Sequence, residues 1–163
     1  MYDPASAITG TEAVFAALPE NAAVKALAGL ATNAKFDRAE LTITVARENI
    51  VAAARAAQQA GYNFLEDVTA VDWYPSEPRF QITYHILSHG LKERLRLAVR
   101  LDGDDAAIDS ITPVWPSANF YEREVFDLFG VHIGGHPNLK RIMMPEDWNG
   151  HPLRKDYPVE GYR

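Results

Sequence analysis

Glu122, Arg123, Glu124 and Asp127 place three carboxylates and a guanidinium within six residues. Carboxylates close to an arginine can have shifted pKa values, so general acid–base chemistry is the first function to weigh. No nucleophile and no phosphate-binding loop lies nearby in sequence, and the favoured reading is a solvated or partner-facing side of a helix. Arg123 and Asp127 have the i, i+4 spacing of an intrahelical ion pair. His132 and His136 are also four apart, with His151 further on, which raises a zinc site. Gly134 and Gly135 interrupt any helix between the first two, and the chain has no cysteine to supply a thiolate. His136, next to Pro137, is instead expected to make structural hydrogen bonds. Arg154 and Lys155 lie beside Asp156. A polybasic membrane contact uses about 4–8 basic charges, so ion pairs to a partner chain suit this trio better.

These groups need elements to position them. Residues 117–130 form a predicted helix, with Tyr121, Val125, Leu128 and Phe129 as its apolar stripe. Asn119 is its expected cap, with Glu122 in capping-box position, and Gly130 ends it. Upstream, alternation defines strands. Leu41 to Val45 alternates strictly, residues 64–74 form a second strand before Pro75 and Pro78, and Phe80, Ile82, Tyr84 and Ile86 alternate with polar residues. Leu95, Leu97, Val99 and Leu101 alternate with Arg94, Arg96 and Arg100, and Ser88 to Leu91 suits a hairpin turn. One wet face and one apolar face mark an antiparallel sheet covered on one side. The three arginines either keep that wet face soluble or meet an acidic neighbour, while His85 and His89 are ordinary surface residues. Residues 108–112 suggest a short edge strand. Helices are expected at 11–18, 20–33 and 48–60, the last ended by Gly61.

The fold class is therefore α+β: a mostly antiparallel sheet with helices on one face, followed by a helix and an extended C-terminal arm. The divisions are 1–33 (N-terminal helices), 34–116 (body) and 117–163 (helix and arm). The arm, from His136, contains Pro137, Pro145, Pro152 and Pro158 and has no sustained period. It nevertheless carries Leu139, Ile142, Met143, Met144, Trp148, Leu153, Tyr157 and Tyr162, which is not a disordered composition. A 28-residue irregular segment rich in such residues is unusual inside a domain. It reads as an arm that buries its anchors in another chain.

Composition narrows the partners. Apolar residues at 47% supply a real core, and no stretch approaches the ~20 apolar residues that span a bilayer. The amino terminus, MYDPASAITG, lacks a basic region followed by an apolar run, so a cytoplasmic chain without a secretory signal is expected. Net charge is −6, with −7 on residues 1–137 and +1 on residues 138–163. An acidic body argues against nucleic acid. The absence of cysteine rules out a Cys-ligated iron–sulfur cluster within the chain.

The run Trp115-Pro-Ser-Ala-Asn-Phe-Tyr-Glu-Arg-Glu-Val-Phe-Asp-Leu-Phe-Gly-Val131 resembles the signature of the C subunit of the respiratory complex I type of NADH-quinone oxidoreductase. The likeness continues through Gly135 to Ile142 and Pro145 to Pro158, and Asp72-Trp-Tyr74 is similar as well. The resemblance implies a non-catalytic, peripheral-arm subunit of a proton-translocating complex, on the cytoplasmic face of the plasma membrane. It implies no cofactor in this chain; FMN, iron–sulfur clusters and quinone belong to partner subunits. The partners implied are chiefly the large quinone-module D subunit, with the cluster-bearing subunits B and I adjacent. Expected interface residues are Glu122, Arg123, Glu124, Asp127, His136, Lys140, Arg141, Trp148, Arg154, Lys155, Asp156 and Tyr157. Lys140 stands where the family often has arginine, which removes a possible bidentate contact. Two other readings remain open: a homologous subunit of a ferredoxin-dependent NDH-type complex or membrane-bound hydrogenase, and a free-standing acid–base enzyme using Glu122, Glu124 and His136.

Overall fold

The computed structural model describes residues 7–161. Tyr162, one of the arm's expected anchors, lies outside the described residues. Six strands form one sheet in the order β1-β2-β3-β6-β5-β4: β1 (Ile8–Thr9), β2 (Ala31–Asp37), β3 (Glu40–Val45), β4 (Phe64–Asp72), β5 (Phe80–Ser88) and β6 (Glu93–Leu101). Every neighbouring pair is antiparallel except β3 with β6. The helices are α1 (Thr11–Ala17), α2 (Ala22–Leu27), α3 (Ile50–Gln59) and α4 (Ala118–Phe129).

The alternation seen in the sequence sets the two faces. Phe80, Ile82, Tyr84 and Ile86 lie opposite Leu101, Val99, Leu97 and Leu95, and all eight are buried. Ile43 and Val45 from β3 join them, as do Ile50, Ala53, Ala54 and Ala57 from α3 and Val125 and Phe129 from α4. Burial of one such aliphatic side chain contributes about 1.5–3 kcal/mol. On the open face the arginines are held within the sheet. Arg96 pairs with Glu40 at 2.6 Å and Arg94 lies 3.6 Å from Glu66. Arg100 donates to Gln81 and to the carbonyl of Pro78. Exposed pairs of this kind contribute about 0–1 kcal/mol each.

The expected helix 20–33 is corrected by the structure. It ends at Leu27, and residues 31–37 form β2, paired to β3 from Ala31 opposite Val45 to Asp37 opposite Glu40. Alanine propensity is weak beside a ladder of cross-strand bonds, and Thr32 and Asn33 are poor helix formers. The two-residue turn between these strands places Arg38 and Ala39 at φ 53° and 61°, the left-handed pair that a type I′ hairpin requires. The predicted edge strand at 108–112 is also corrected. Residues 107–109 (β7) pair in parallel with β8 (His132–Gly134) in a separate two-stranded sheet.

Candidate docking surface

Helix α4 starts from Ser117, which makes no side-chain capping bond, so the Asn119–Glu122 capping box is not formed. Glu122 points inward instead, and its residue is only 1% exposed. Its carboxylate accepts from Ser110 Oγ at 2.6 Å and from the Ile111 amide at 2.7 Å. Burial pushes its pKa up, against the lowering effect of those two bonds. Asp127 is fully buried. Both acids were placed on an outward or partner-facing side by the sequence, and burial within their own chain removes them from that role. Their donors come from loops distant in sequence, which helical periodicity does not register.

Asp127 is the point where the arm is tied down. Its Oδ2 accepts the amides of Ile142 (2.9 Å), Met143 (2.7 Å) and Met144 (2.9 Å). Its Oδ1 meets Arg141 Nη1 at 2.6 Å. Burial alone would raise this carboxyl; the Met144 amide, Arg141 and the other two amides outweigh that, and its pKa lies below the ordinary value. Arg141 also donates to the carbonyls of Trp148 and Gly150. The expected Arg123–Asp127 pair is therefore replaced: Asp127 takes Arg141, and Arg123 donates to the carbonyls of Lys140 and Arg141.

The rest of the arm follows the end of α4 and then reaches the sheet. The Leu153 amide donates to the carbonyl of Leu128, His151 Nδ1 bonds that of Asp127, and Arg154 Nε donates to that of Phe129. These are carbonyls of the last turn, which a helix leaves without internal partners. Gly130, at φ +70°, lets the arm pass: a Cβ there would lie 2.5 Å from His151 and 2.6 Å from Arg154. At the far end, Asp72 accepts the Lys155 amide at 2.8 Å and two bonds from Arg79. Arg79 also bonds both oxygens of Asp156. The arm is thus folded on its own chain, not extended into another as its prolines and anchors suggested. Its polar groups are bonded inward, while Ile142, Met143, Trp148 and Leu153 remain exposed (38%, 62%, 40% and 51%).

Residues 43–163 match the family described as "Respiratory-chain NADH dehydrogenase, 30 Kd subunit". The chain belongs to this family. A 30 Kd-family relative, the NADH-quinone oxidoreductase C subunit of Citrifermentans bemidjiense, is 47% identical over 146 residues, covering 86% of this chain and 91% of the relative. The protein of the same name from Geobacter sulfurreducens is 50% identical over 126 residues, 76% of this chain and 78% of the relative. Among solved structures, a trypsin-resistant fragment of Nqo5 matches with a TM-score of 0.58 and 33% identity, over 61% of this chain and 83% of the fragment. A chain of the membrane-bound sulfane sulfur reductase, an archaeal respiratory membrane complex, matches at 0.72 and 27% identity, over 83% of this chain and 82% of its own.

Within this 30 Kd-family chain the expected interface residues separate into two groups. Glu124, Lys140, Trp148, Lys155 and Asp156 are exposed, and Arg123, Arg141, Arg154 and Tyr157 are partly so. Glu122 and Asp127 are interior, and the His136 side chain is fully covered, bonding the Asn119 carbonyl and the Asn138 amide. Glu122 Oε2 lies 3.9 Å from His136 Nε2, while Glu124 faces solvent, so the three groups of the enzyme reading do not share a cleft. The largest cavity, about 780 Å³, is lined by Asn21, Phe36, Lys92 and Glu93, outside α4 and the arm. Among the described residues no three His, Cys, Asp or Glu side chains come together as a metal site. Sequence reasoning missed Asp72, Arg79 and Ser110. Asp72 had a signal: it falls in the inward phase of β4 with Val68 and Ala70, and a buried acid needs a partner.

Proposed function

We propose that this chain is a subunit of a membrane-associated, proton-translocating NADH-quinone oxidoreductase, without catalytic groups of its own, that supports the quinone module from the cytoplasmic face. The large quinone-module D subunit is its main partner, with subunits B and I adjacent. FMN, iron–sulfur clusters and quinone are carried by those and other subunits. The names of relatives at 47% and 50% identity support this reading. The observation that carries it is the arm, whose polar groups are satisfied internally while a row of large apolar side chains faces out. Exposed apolar and aromatic anchors on a rigid frame are the composition of an interface core. The chain's contribution to turnover is positional, because a misplacement of about 1 Å at a neighbouring site can cost about 100-fold in rate.

The test is a doubly substituted full chain, Met143→Ala with Trp148→Ala. Both side chains are exposed, so the variant is expected to fold as the wild type does by circular dichroism, yet fail to co-purify with the membrane complex. Recovery in the complex at wild-type yield sinks the proposal. A second reading, a homologous subunit of a ferredoxin-dependent NDH-type complex or membrane-bound hydrogenase, draws on the likeness to the sulfane sulfur reductase chain. Assaying the purified complex with NADH and with reduced ferredoxin separates the two.

A further inference from the structure

Tyr74 lies just past β4 and is 49% exposed. Its amide donates to Asp72 Oδ1 at 2.9 Å, and the Lys155 amide donates to Asp72 Oδ2 at 2.8 Å. One carboxylate thus holds both segments, and the two backbone nitrogens lie within about 8 Å of each other by ordinary hydrogen-bond geometry. Arg79 completes the link. Its guanidinium bridges Asp72 and Asp156 at 2.8 and 2.7 Å and sits 5.0 Å from the Tyr74 ring centroid. Its side chain is only 11% exposed, and that of Asp72 is 1% exposed. A water-poor bidentate pair of this kind fixes geometry firmly. Tyr74 therefore cannot move independently of residues 153–156.

We infer that Tyr74 is part of the same docking surface as the arm, and that Asp72 and Arg79 are positioning residues that hold the two parts in register. The inference rests on the arm being a docking surface. The occupant is a single partner subunit that presents an apolar groove and touches both Leu153 and the Tyr74 ring, because a chain seated on the last part of the arm meets Tyr74 without further reach. Tyrosine suits the task, offering a large contact area on only two side-chain torsions. A lipid surface fits less well, since the chain's net charge of −6 opposes an anionic leaflet.

Hydroxyl-radical footprinting compares the free full-length chain with the assembled, purified complex. Modification of Tyr74 is expected to fall about tenfold on assembly, in step with Trp148 and Met143. Protection of Trp148 and Met143 with Tyr74 unchanged overturns this inference alone; no protection at any of the three overturns the arm reading beneath it. Free chain protected at Tyr74 by phosphatidylglycerol vesicles alone overturns it in favour of lipid. In the complex, Tyr74→Ala should release the chain about tenfold faster under a high-salt wash, as truncating an interface anchor does. Tyr74→Phe keeps the ring and should hold. Release of Tyr74→Ala at the wild-type rate also overturns the proposal.

Discussion

Replacing Asp127 with asparagine tests the attachment of the arm at its root. Asparagine keeps one oxygen, which can continue to accept the amides of Ile142, Met143 and Met144. Its new NH2 then faces Arg141 Nη1, now donor against donor across what was a 2.6 Å bond. Breaking a buried ion pair by removing one partner costs about 3–5 kcal/mol. Arg141 retains the carbonyls of Trp148, Gly150 and Asp127, which places the cost at the lower end, about 3 kcal/mol. The loss falls on local opening of residues 141–144 and not on the sheet, because the strands do not draw on this carboxylate. At about 1.4 kcal/mol per factor of ten, amide hydrogen exchange at Ile142, Met143 and Met144 should quicken by about 100-fold. Exchange in β5 and β6 should stay within about threefold of wild type. If the three arm amides exchange within tenfold of wild type, Asp127 does not hold the arm.

Gly130→Ala combines a left-handed φ of +70° with a Cβ at 2.5 Å from His151. It should cost about 1–3 kcal/mol and expose Arg154 and Lys155 to trypsin at a rate that wild type does not show; equal cleavage rates refute this. Glu122→Gln should be neutral or stabilising at pH 8. Burial raises the Glu122 carboxyl, so wild type loses stability as pH climbs from the unfolded value of about 4.5 through the folded one, and glutamine is spared that loss. Denaturant unfolding that finds the variant weaker by more than about 1 kcal/mol at pH 8 counts against it. Asp72 behaves oppositely. Burial pushes its carboxyl up, but Arg79 and the Lys155 and Tyr74 amides bring it down to about 2 from 3.8. Its contribution, about 2 kcal/mol, is complete above pH 4 and is lost as pH falls toward 2. Protection of the Lys155 amide that stays flat from pH 6 to 2.5 contradicts this.

The sheet was legible because each of its central strands buries one side only. Phe80 to Ile86 and Leu95 to Leu101 write that asymmetry into alternate residues, and a period of two has no helical counterpart. The α3 and α4 spans were legible for the matching reason. Residues 31–37 were not. Ala31 to Asp37 has neither strict alternation nor β-branched density, and its strand conformation comes from the hairpin with β3, a pairing that no local window contains. The same limit hid the interior acids. On a helical wheel Glu122 and Asp127 flank the stripe as solvated acids would, and only the loops at 110–111 and 141–144, folded back from elsewhere, turn them inward.

The arm shows what composition can and cannot specify. Prolines with large apolar residues say that a segment must be held by something; they do not say by what. Here the holding is divided. Asp127, Asp72 and the free carbonyls of the last turn of α4 take the arm's amides, guanidinia and imidazole, which fixes the backbone before any partner arrives. The apolar side chains are left over. An extended arm would have to order each residue on docking, at about 1–2 kcal/mol per residue of backbone entropy, and would keep little affinity from so few anchors. An arm already folded on α4 has met that cost during folding, so that Ile142, Met143, Trp148 and Leu153 can turn their burial into affinity. The buried acids that first suggested catalysis are therefore better explained as the means by which a segment without regular structure is kept rigid.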